Sequence, residues 1–508
     1  MPPSLTGTNP DSKVQGFHRA RFRRERTVNT VESTRHPFEI LLGPRSVIVV
    51  GATNNPAKYG NLVVRSLLEI GFAGNLYLVN AKREEILDRQ SYGSVDEVPA
   101  PAEAAVIVVP AEHVPGCLRQ CGEKGVRLAV IISGGFNELE AGEGDRLYEE
   151  MLSIANRYGI RIIGPNTFGT LTPAGRFNGS FSTDFSKALP GKIAVLSQSG
   201  GVAHIMGYQA MREGVGLRSV VGLGNRANVE FHDLIRFYGE DDETAVIGLY
   251  LEGTDQPREI LKAAREVVPR KPILAYKVGR SGAIAGPARS HTGSMAGRYE
   301  LYQGGLQQAG ILWMDSPQEL MDAAKLFTLQ EPIRGPRVAI MSIQAGAAIM
   351  LTDLCVSFGL ELAQLSPHTR KRIGDLLPPK TFLDNPVDMG FYWYPPVFIE
   401  VAKTLLKDPQ VDTLIMYTLT ADGAVSEMLK VIALEALTAR ETGKILMLGT
   451  DISTYDLLAD LLEIQSAGVP VYLAPERAIR SLVQKVKYER IRRHLLDEDQ
   501  LPGPGGSS

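Results

Sequence analysis

The stretch Ser46-Val47-Ile48-Val49-Val50-Gly51-Ala52-Thr53-Asn54-Asn55-Pro56-Ala57-Lys58-Tyr59-Gly60-Asn61 sets the reading of the whole chain. Residues 46–50 are apolar almost without break, the pattern of a strand covered on both faces rather than one. A loop bounded by Gly51 and Gly60 follows, and the amphipathic stretch 62–70 reads as a helix starting at Leu62. Strand, glycine loop and helix make one α/β unit, and the same pattern recurs to about residue 490. The later apolar runs are 76–79, 104–109, 128–132, 160–163, 192–196, 218–222, 245–250, 272–276, 337–341, 413–417, 444–448 and 469–472. Amphipathic stretches such as 257–268 lie between them, the last with Pro257 at the first helical position, where its missing N–H costs nothing. Such alternation predicts parallel sheets joined by right-handed crossovers.

The chain has 508 residues, which at about 150 per domain allows roughly three domains. Two boundaries stand out: the Gly-, Ser-, Phe- and Pro-rich loop 172–190, and Gln330-Glu331-Pro332-Ile333-Arg334-Gly335-Pro336. They divide the chain into 41–180, 188–330 and 336–490. Residues 1–40 read as a polar, flexible arm with a basic segment at 18–26, and 491–508 as a flexible tail. Three open α/β sheets would each present ligand loops at the carboxyl ends of their strands.

Composition excludes several classes. Lys plus Arg number 54 and Asp plus Glu 57, a net charge of −3, which argues against a nucleic-acid binder working through bulk charge. No apolar run reaches the ~18 residues of a membrane span, and no apolar secretory segment opens the chain, so the expected location is cytoplasmic. Three cysteines cannot build a disulfide framework, and Cys117 and Cys121, four apart, read as packing residues on one helical face. No metal site is expected in this chain.

The chemistry concentrates in loops. Gly51, Ala52, Thr53, Asn54 and Gly60 form a Rossmann-type first loop in which backbone N–H groups and a helix N-terminus can meet a phosphate, with Lys58 as a cation. The second run ends Asn80-Ala81-Lys82, where an NAD site favours an acid for the ribose; Lys82 suits a phosphorylated ribose, as in NADP or coenzyme A. The run 192–196 leads into Ser197-Gln198-Ser199-Gly200-Gly201, two hydroxyls and two glycines at a helix start, an anion site. After the run 272–276 comes the long small-residue loop 277–297. Its His291 sits among Ser, Thr and Gly, where a phosphoryl group could reach the imidazole. Glu252, breaking an apolar run just before Gly253, is a candidate carboxylate to orient that ring. Phe168, Phe177, Phe181 and the run Phe391-Tyr392-Trp393-Tyr394 read either as an acyl pocket or as interface packing.

Together these loops resemble the α chain of the NDP-forming acyl-CoA synthetases, the superfamily of succinyl-CoA synthetase and ADP-forming acetate–CoA ligase. Ser290-His291-Thr292-Gly293-Ser294-Met295-Ala296-Gly297 resembles the segment carrying the phosphorylated histidine, and Glu252 falls where the family places its carboxylate partner. Ser197–Gly201 resembles the start of the helix that holds the phosphohistidine. Gly164-Pro165-Asn166 resembles a segment at the junction of the first two domains. The loop 51–60 with Lys82, Ser133, Gly134, Gly135 and Asn166 resembles the coenzyme A site. Asp384-Asn385-Pro386-Val387-Asp388 resembles the family's Asn-Pro-Val-Asp signature, and Ala345, Gly346 and Ala347 stand, more loosely, where a second helix N-terminus binds phosphate.

The resemblance implies a Rossmann-like CoA-binding domain followed by two flavodoxin-like open parallel-sheet domains. It also implies acyl-CoA ligation through an acyl phosphate and a phosphohistidine at His291. Nothing after residue 490 matches an ATP-grasp domain, so ATP/ADP and Mg are expected on a separate ATP-grasp β subunit in a hetero-oligomer. The substrates would be a small carboxylic acid and its CoA thioester. Two other readings remain: a non-catalytic CoA- or acyl-CoA-binding protein of the same fold, and an NADP-dependent oxidoreductase using only the first loop.

Overall fold

The computed structural model describes residues 35–136, 142–280, 299–330, 332–378, 382–390, 394–420, 435, 438–452 and 458–498. The chain divides into residues 1–36 and 37–508, and the three sheets all lie in the second unit.

The first sheet is parallel throughout, in the spatial order Ser91–Tyr92, Asn75–Val79, Ser46–Val50, Ala104–Ile107, Leu128–Ile131, Arg161–Ile163. Numbered along the chain this is 3-2-1-4-5-6, whose order reverses between the strands Ser46–Val50 and Ala104–Ile107; ligands of such sheets bind outside the carboxyl ends at that reversal. The parallel strands of the second sheet are Pro190–Ser197, Leu217–Gly222, Val246–Leu251, Ile273–Lys277 and Leu312–Trp313. They lie in the order 2-1-3-4-5, the flavodoxin-like arrangement, with the reversal between Pro190–Ser197 and Val246–Leu251. The third sheet repeats it with Arg337–Ser342, Glu361–Leu362, Thr413–Thr420, Ile445–Ile452 and Val471–Tyr472. Every long apolar run of the sequence is one of these strands, and the inner ones are buried along their whole length, as double coverage requires.

Three features depart from the sequence reading. The loop 172–190 is not irregular throughout. Thr170–Thr172 and Phe177–Asn178 form an antiparallel hairpin that pairs through Leu171 with Val220 and extends the second sheet, so the chain crosses to that sheet before residue 170. Two of its three phenylalanines are core: Phe177 and Phe185 are fully buried. A two- or three-residue strand carries too little periodicity to be read from sequence. Residues 37–40, placed in the arm, form with Leu41 the short helix Pro37–Leu41, which buries Phe38, Ile40 and Leu41; the Thr172 hydroxyl donates to the Leu41 carbonyl at 3.0 Å. Finally, the last helix runs Pro475–Glu498 and reaches past residue 490 into the expected tail. Its far end packs on the second sheet's layer, where the Tyr488 hydroxyl donates to the Val268 carbonyl (2.9 Å) and Arg492 to that of Pro269 (3.2 Å).

The second and third sheets are joined by a charge cluster. Lys325, from the helix Pro317–Leu329, is 1% exposed and donates to Glu213 (2.9 Å) and to the Val471 carbonyl (2.6 Å), with its ammonium 4.2 Å above the Tyr472 ring. Arg477 spans Asp322 and Glu213, each at 2.5 Å. Cys121 is buried on the helix Val114–Glu123 and Cys117 is partly covered; burial pushes both thiols up, the state of packing residues rather than nucleophiles. No helix among the described residues is long and apolar enough to cross a membrane.

Candidate active site

The reversal point of the second sheet brings two strand ends together. Pro190–Ser197 runs into Gln198, and Val246–Leu251 into Glu252. The Gln198 carboxamide bridges them: its Oε1 accepts from the backbone N–H of Glu252 (2.7 Å) and of Gly253 (3.1 Å). Two N–H donors on one oxygen fix which end of the amide is which. Its Nε2 is buried and has no hydrogen-bond partner among the described residues. An unsatisfied buried donor costs about 1–3 kcal/mol, so a ligand atom that accepts from it is bound more tightly by that order.

Immediately after Gln198 starts the helix Gly200–Arg212. Ser199 caps it, in an extended conformation, with its hydroxyl facing the Val202 N–H at 3.5 Å, and the Ser197 hydroxyl ties down the Ser199 carbonyl at 2.7 Å. The first amides of a helix lack intrahelical acceptors, so those of Gly200 and Gly201 join Gln198 as donors with the helix field behind them. Gly201 is open: a Cβ there would meet only the Ser199 hydroxyl, at 3.8 Å.

Glu252 is 9% exposed. The Tyr250 hydroxyl reaches its carboxylate at 3.3 Å; burial first, then Glu252, hold that phenol well above its ordinary value, so it stays a donor. The Lys277 ammonium donates to the Glu252 carbonyl (3.1 Å) and the Val278 carbonyl (2.9 Å) and lies 4.7 Å over the Tyr302 ring. Burial pulls that lysine down against the opposing pull of Glu252. Lys277 thus pins the backbone on both sides of the strand pair just where the loop bearing His291 departs. His291 itself, with Ser290 and 292–297, lies outside the described residues, as do Phe391, Tyr392 and Trp393.

A cavity of about 380 Å³ opens at this helix start. Gln198, Ser199, Gly200 and Gly201 line it together with Tyr59, Phe168, Phe181 and His204 and with the polar Asn166, Thr167 and Asn225. Phe168 and Phe181 therefore belong to the cavity, whereas Phe177 packs against Phe72 away from it. Ala345, Gly346 and Ala347 open the corresponding helix of the third sheet, Ala345–Ser357, and do not line this cavity.

The first sheet's crevice adjoins it. Gly51 has φ +93°, and a Cβ on Gly60 would sit 2.0 Å from the Gly51 carbonyl oxygen, so only glycine lets the helix Tyr59–Glu69 start against the strand end. That close approach is why the helix begins three residues before Leu62. Ala52 and Thr53 are held by their carbonyls, which accept from Asn80 (2.8 Å) and Asn61 (2.9 Å). Asn54 is tied to Glu85 and Leu87, leaving Lys58 and Lys82 exposed at the crevice rim. The corner 164–166 joins both crevices: the Asn166 N–H donates to the Ser133 carbonyl (2.9 Å), and the Asn225 N–H to that of Pro165 (2.9 Å). Ser133 is thereby tied to Asn166, which lines the cavity.

Sequence reasoning missed His204. It lies one turn into the helix Gly200–Arg212, its Nδ1 on the Gly200 carbonyl (2.7 Å) and its Nε2 on the Ser182 hydroxyl. The neighbours Val202, Ala203, Ile205 and Met206 make it look like a packing histidine; the i, i+4 spacing from Gly200 was the available signal. Burial lowers its imidazole below the ordinary value despite the Gly200 bond, so the folded protein favours the neutral ring. The native state therefore keeps this contribution in full above about pH 6.5 and loses it as the pH falls through that value toward the lowered one. An NMR titration should show His204 still neutral at a pH where a free imidazole is already protonated; titration at the ordinary value would contradict the burial argument.

Comparison with known proteins bears on this arrangement. Residues 45–173 match the CoA binding domain family, 190–327 the succinyl-CoA ligase like flavodoxin domain, and 338–490 the ligase-CoA domain. The chain is 35% identical to the α subunit of ADP-forming acetate–CoA ligase I of Pyrococcus furiosus, over 89% of this chain and 98% of that one. It is equally identical to ADP-forming acetate–CoA ligase I of Archaeoglobus fulgidus, a longer protein of which it spans 64%. Its fold superposes on Ca. Korarchaeum cryptofilum dinucleotide forming acetyl-coenzyme A synthetase 1, solved with phosphate and ADP. The TM-score is 0.83 at 30% identity, covering 92% of this chain and 99% of that one.

Proposed function

The chain belongs to the family of ADP-forming acetate–CoA ligase α subunits, and from that premise we propose that it interconverts acyl-CoA, ADP and phosphate with acid, CoA and ATP. The observation that carries the reading is the Gln198 bridge. One side chain joins the ends of two strands at the sheet's reversal point, holds the backbone of Glu252, and keeps a buried donor unpaired beside the open amides of Gly200 and Gly201.

The chemistry follows from that placement. Coenzyme A lies with its nucleotide on the loop 51–60, Lys58 and Lys82 meeting its phosphates, and its thioester end passing the Asn166 corner into the cavity. Phosphate held by Gln198, Ser199, Gly200 and Gly201 attacks the thioester carbon. The C–S bond breaks, the CoA thiolate leaves and takes a proton, and an acyl phosphate remains. A nitrogen of His291 then attacks phosphorus, the bond to the acyl oxygen breaks, and the carboxylate departs. Glu252 takes the hydrogen bond of the other ring nitrogen and so orients the imidazole and stabilises the cation formed. Donors set in advance around phosphoryl oxygens supply most of the acceleration in such transfers. The phosphoryl group passes to ADP on an ATP-grasp β subunit, which also holds Mg, in a cytoplasmic hetero-oligomer. Ala345, Gly346 and Ala347 offer the second phosphate-facing helix start once the His291 loop swings across.

Co-purification with a candidate β subunit, followed by CoA ligation over a panel of acids, tests the reading. Turnover only with both chains supports it; CoA retention without any turnover favours a non-catalytic CoA-binding protein. Glu252→Gln is expected to slow phosphorylation of the chain about 100-fold or more, while CoA affinity changes little, because the carboxylate acts on the imidazole and not on the nucleotide crevice. Equal loss of both would make Glu252 structural.

A further inference from the structure

We propose that Tyr302 and Lys277 are positioning residues of the phosphoryl transfer: from the two ends of the stretch that carries His291, they hold the backbone that carries Glu252. This rests on the ligase reading and adds two residues to its machinery. The strand Val246–Leu251 pairs with Ile273–Lys277 as far as Leu251 and Lys277, and the Val278 N–H still donates to the Leu251 carbonyl at 3.2 Å. Beyond that point side chains replace the ladder. The Gln198 amide oxygen accepts from the N–H groups of Glu252 (2.7 Å) and Gly253 (3.1 Å). The Lys277 ammonium donates to the Glu252 carbonyl at 3.1 Å. The Tyr302 hydroxyl accepts from the Thr254 N–H at 3.0 Å and donates to the Thr254 carbonyl at 3.2 Å, the exchange that a neighbouring strand residue would make. A segment whose main-chain groups are met by side chains keeps its place only while those side chains keep theirs.

Two of the three side chains come from either end of the His291 stretch. Lys277 ends the strand before it, and Tyr302 lies near the start of the helix Tyr299–Gln308 that follows it. The two meet: the Lys277 ammonium stands 4.7 Å from the centroid of the Tyr302 ring. The stretch bearing the carrier histidine thus begins and ends on one clamp, and that clamp grips residues 252–254. Joining the ends of a long stretch removes much of the volume it could otherwise explore, so the imidazole meets Glu252 from a fixed base. Lys277 is 2% exposed, and its partners among the described residues are two carbonyls and a ring. Burying an ammonium there is costly, and an apolar residue would pack the same space at lower cost. What the ammonium supplies and packing cannot is a fixed direction for the Glu252 carbonyl.

The test uses the complex of the full chain with its β subunit and measures the rate of phosphate incorporation from radiolabelled ATP beside the affinity for CoA. Tyr302→Phe keeps the ring under the Lys277 ammonium and removes both hydrogen bonds to Thr254. It is expected to slow labelling about tenfold, because a small misplacement of reacting groups is that costly. CoA affinity should stay within about twofold, because the nucleotide crevice is built by the first sheet. Lys277→Met is expected to lose more; should it fail to fold, Tyr302→Phe decides. The comparison is then repeated in the Glu252→Gln background. If Tyr302 acts through Glu252, Tyr302→Phe costs at most about threefold there, since the group it positions is gone. The same tenfold loss in both backgrounds marks a merely structural side chain and overturns the inference, as does labelling of Tyr302→Phe at the parent's rate. In either case the parent's own labelling leaves the ligase reading standing. A parent that takes up no phosphate in the complex overturns the ligase reading and the inference with it.

Discussion

Replacing His291 with alanine is expected to abolish incorporation of phosphate into the chain and to reduce acyl-CoA formation from every acid by a factor on the order of 10⁶, the scale on which covalent enzymes lose activity without their nucleophile. The reason is positional. The donors at Gln198, Gly200 and Gly201 are proposed to hold a phosphoryl group at the strand ends of the second sheet, and the nucleotide that must finally receive it is proposed to bind on another chain. A carrier has to cover the distance, and an imidazole does so because it attacks phosphorus while neutral and leaves easily once protonated. Glu252, 9% exposed and pinned through its backbone by Gln198 and Lys277, is the carboxylate proposed to orient the ring. Labelling with radioactive phosphate from ATP in the two-chain complex, resolved by denaturing gel, reads the step directly. CoA binding to His291→Ala should remain, because the proposed nucleotide crevice is built from residues of the first sheet around Gly51 and Gly60. Undiminished labelling would remove the centre of the mechanism.

Lys325→Met should destabilise the protein by about 3–5 kcal/mol, the usual cost of leaving a buried charge without its partner. Lys325 is 1% exposed and Glu213 14%. Burial would raise the Glu213 carboxyl, but Lys325 and Arg477 outweigh it and hold it below its ordinary value; without Lys325 the burial effect gains ground. Asp322 already sits above its ordinary value because burial outweighs Arg477. The substitution also strips the Val471 carbonyl of its 2.6 Å donor and removes the cation from the Tyr472 ring. Urea denaturation should show a lower midpoint. The double variant Lys325→Met, Glu213→Leu should recover part of the loss, since removing both charges is less costly than orphaning one. A single variant within 1 kcal/mol of the parent would mean that water reaches this interface and screens the charges. Because the cluster joins helices of the second and third sheets, it also tests whether those layers unfold together.

How much of this was legible beforehand differs by level. The strands could be read one by one because residues such as 46–50 and 128–131 are apolar on both faces, and only a doubly covered strand tolerates that. Glycine positions marked the loops: Gly60 cannot be anything larger with the Gly51 carbonyl 2.0 Å from its Cβ direction, and such a constraint is visible as a glycine in the string. The serine and glycine pairs at 197–201 marked a capped helix start for the same local reason.

What only the tertiary structure decided is which local features meet. The order 2-1-3-4-5 puts residue 198 against residue 252 across 54 positions of sequence, and no local pattern records that pairing. His204 looked like core because its sequence neighbours are apolar; its surroundings Phe168, Phe181 and Ser182 flank a hairpin whose strands are too short to leave a period. The helix beyond residue 490 was likewise hidden, since its far end is held by Val268 and Pro269, about 220 residues away. Backbone propensity and burial pattern are local quantities and can be read along the chain. The meeting of side chains at a sheet's reversal point depends on strand order, which is set by the packing of the whole and so appears only when the chain is folded.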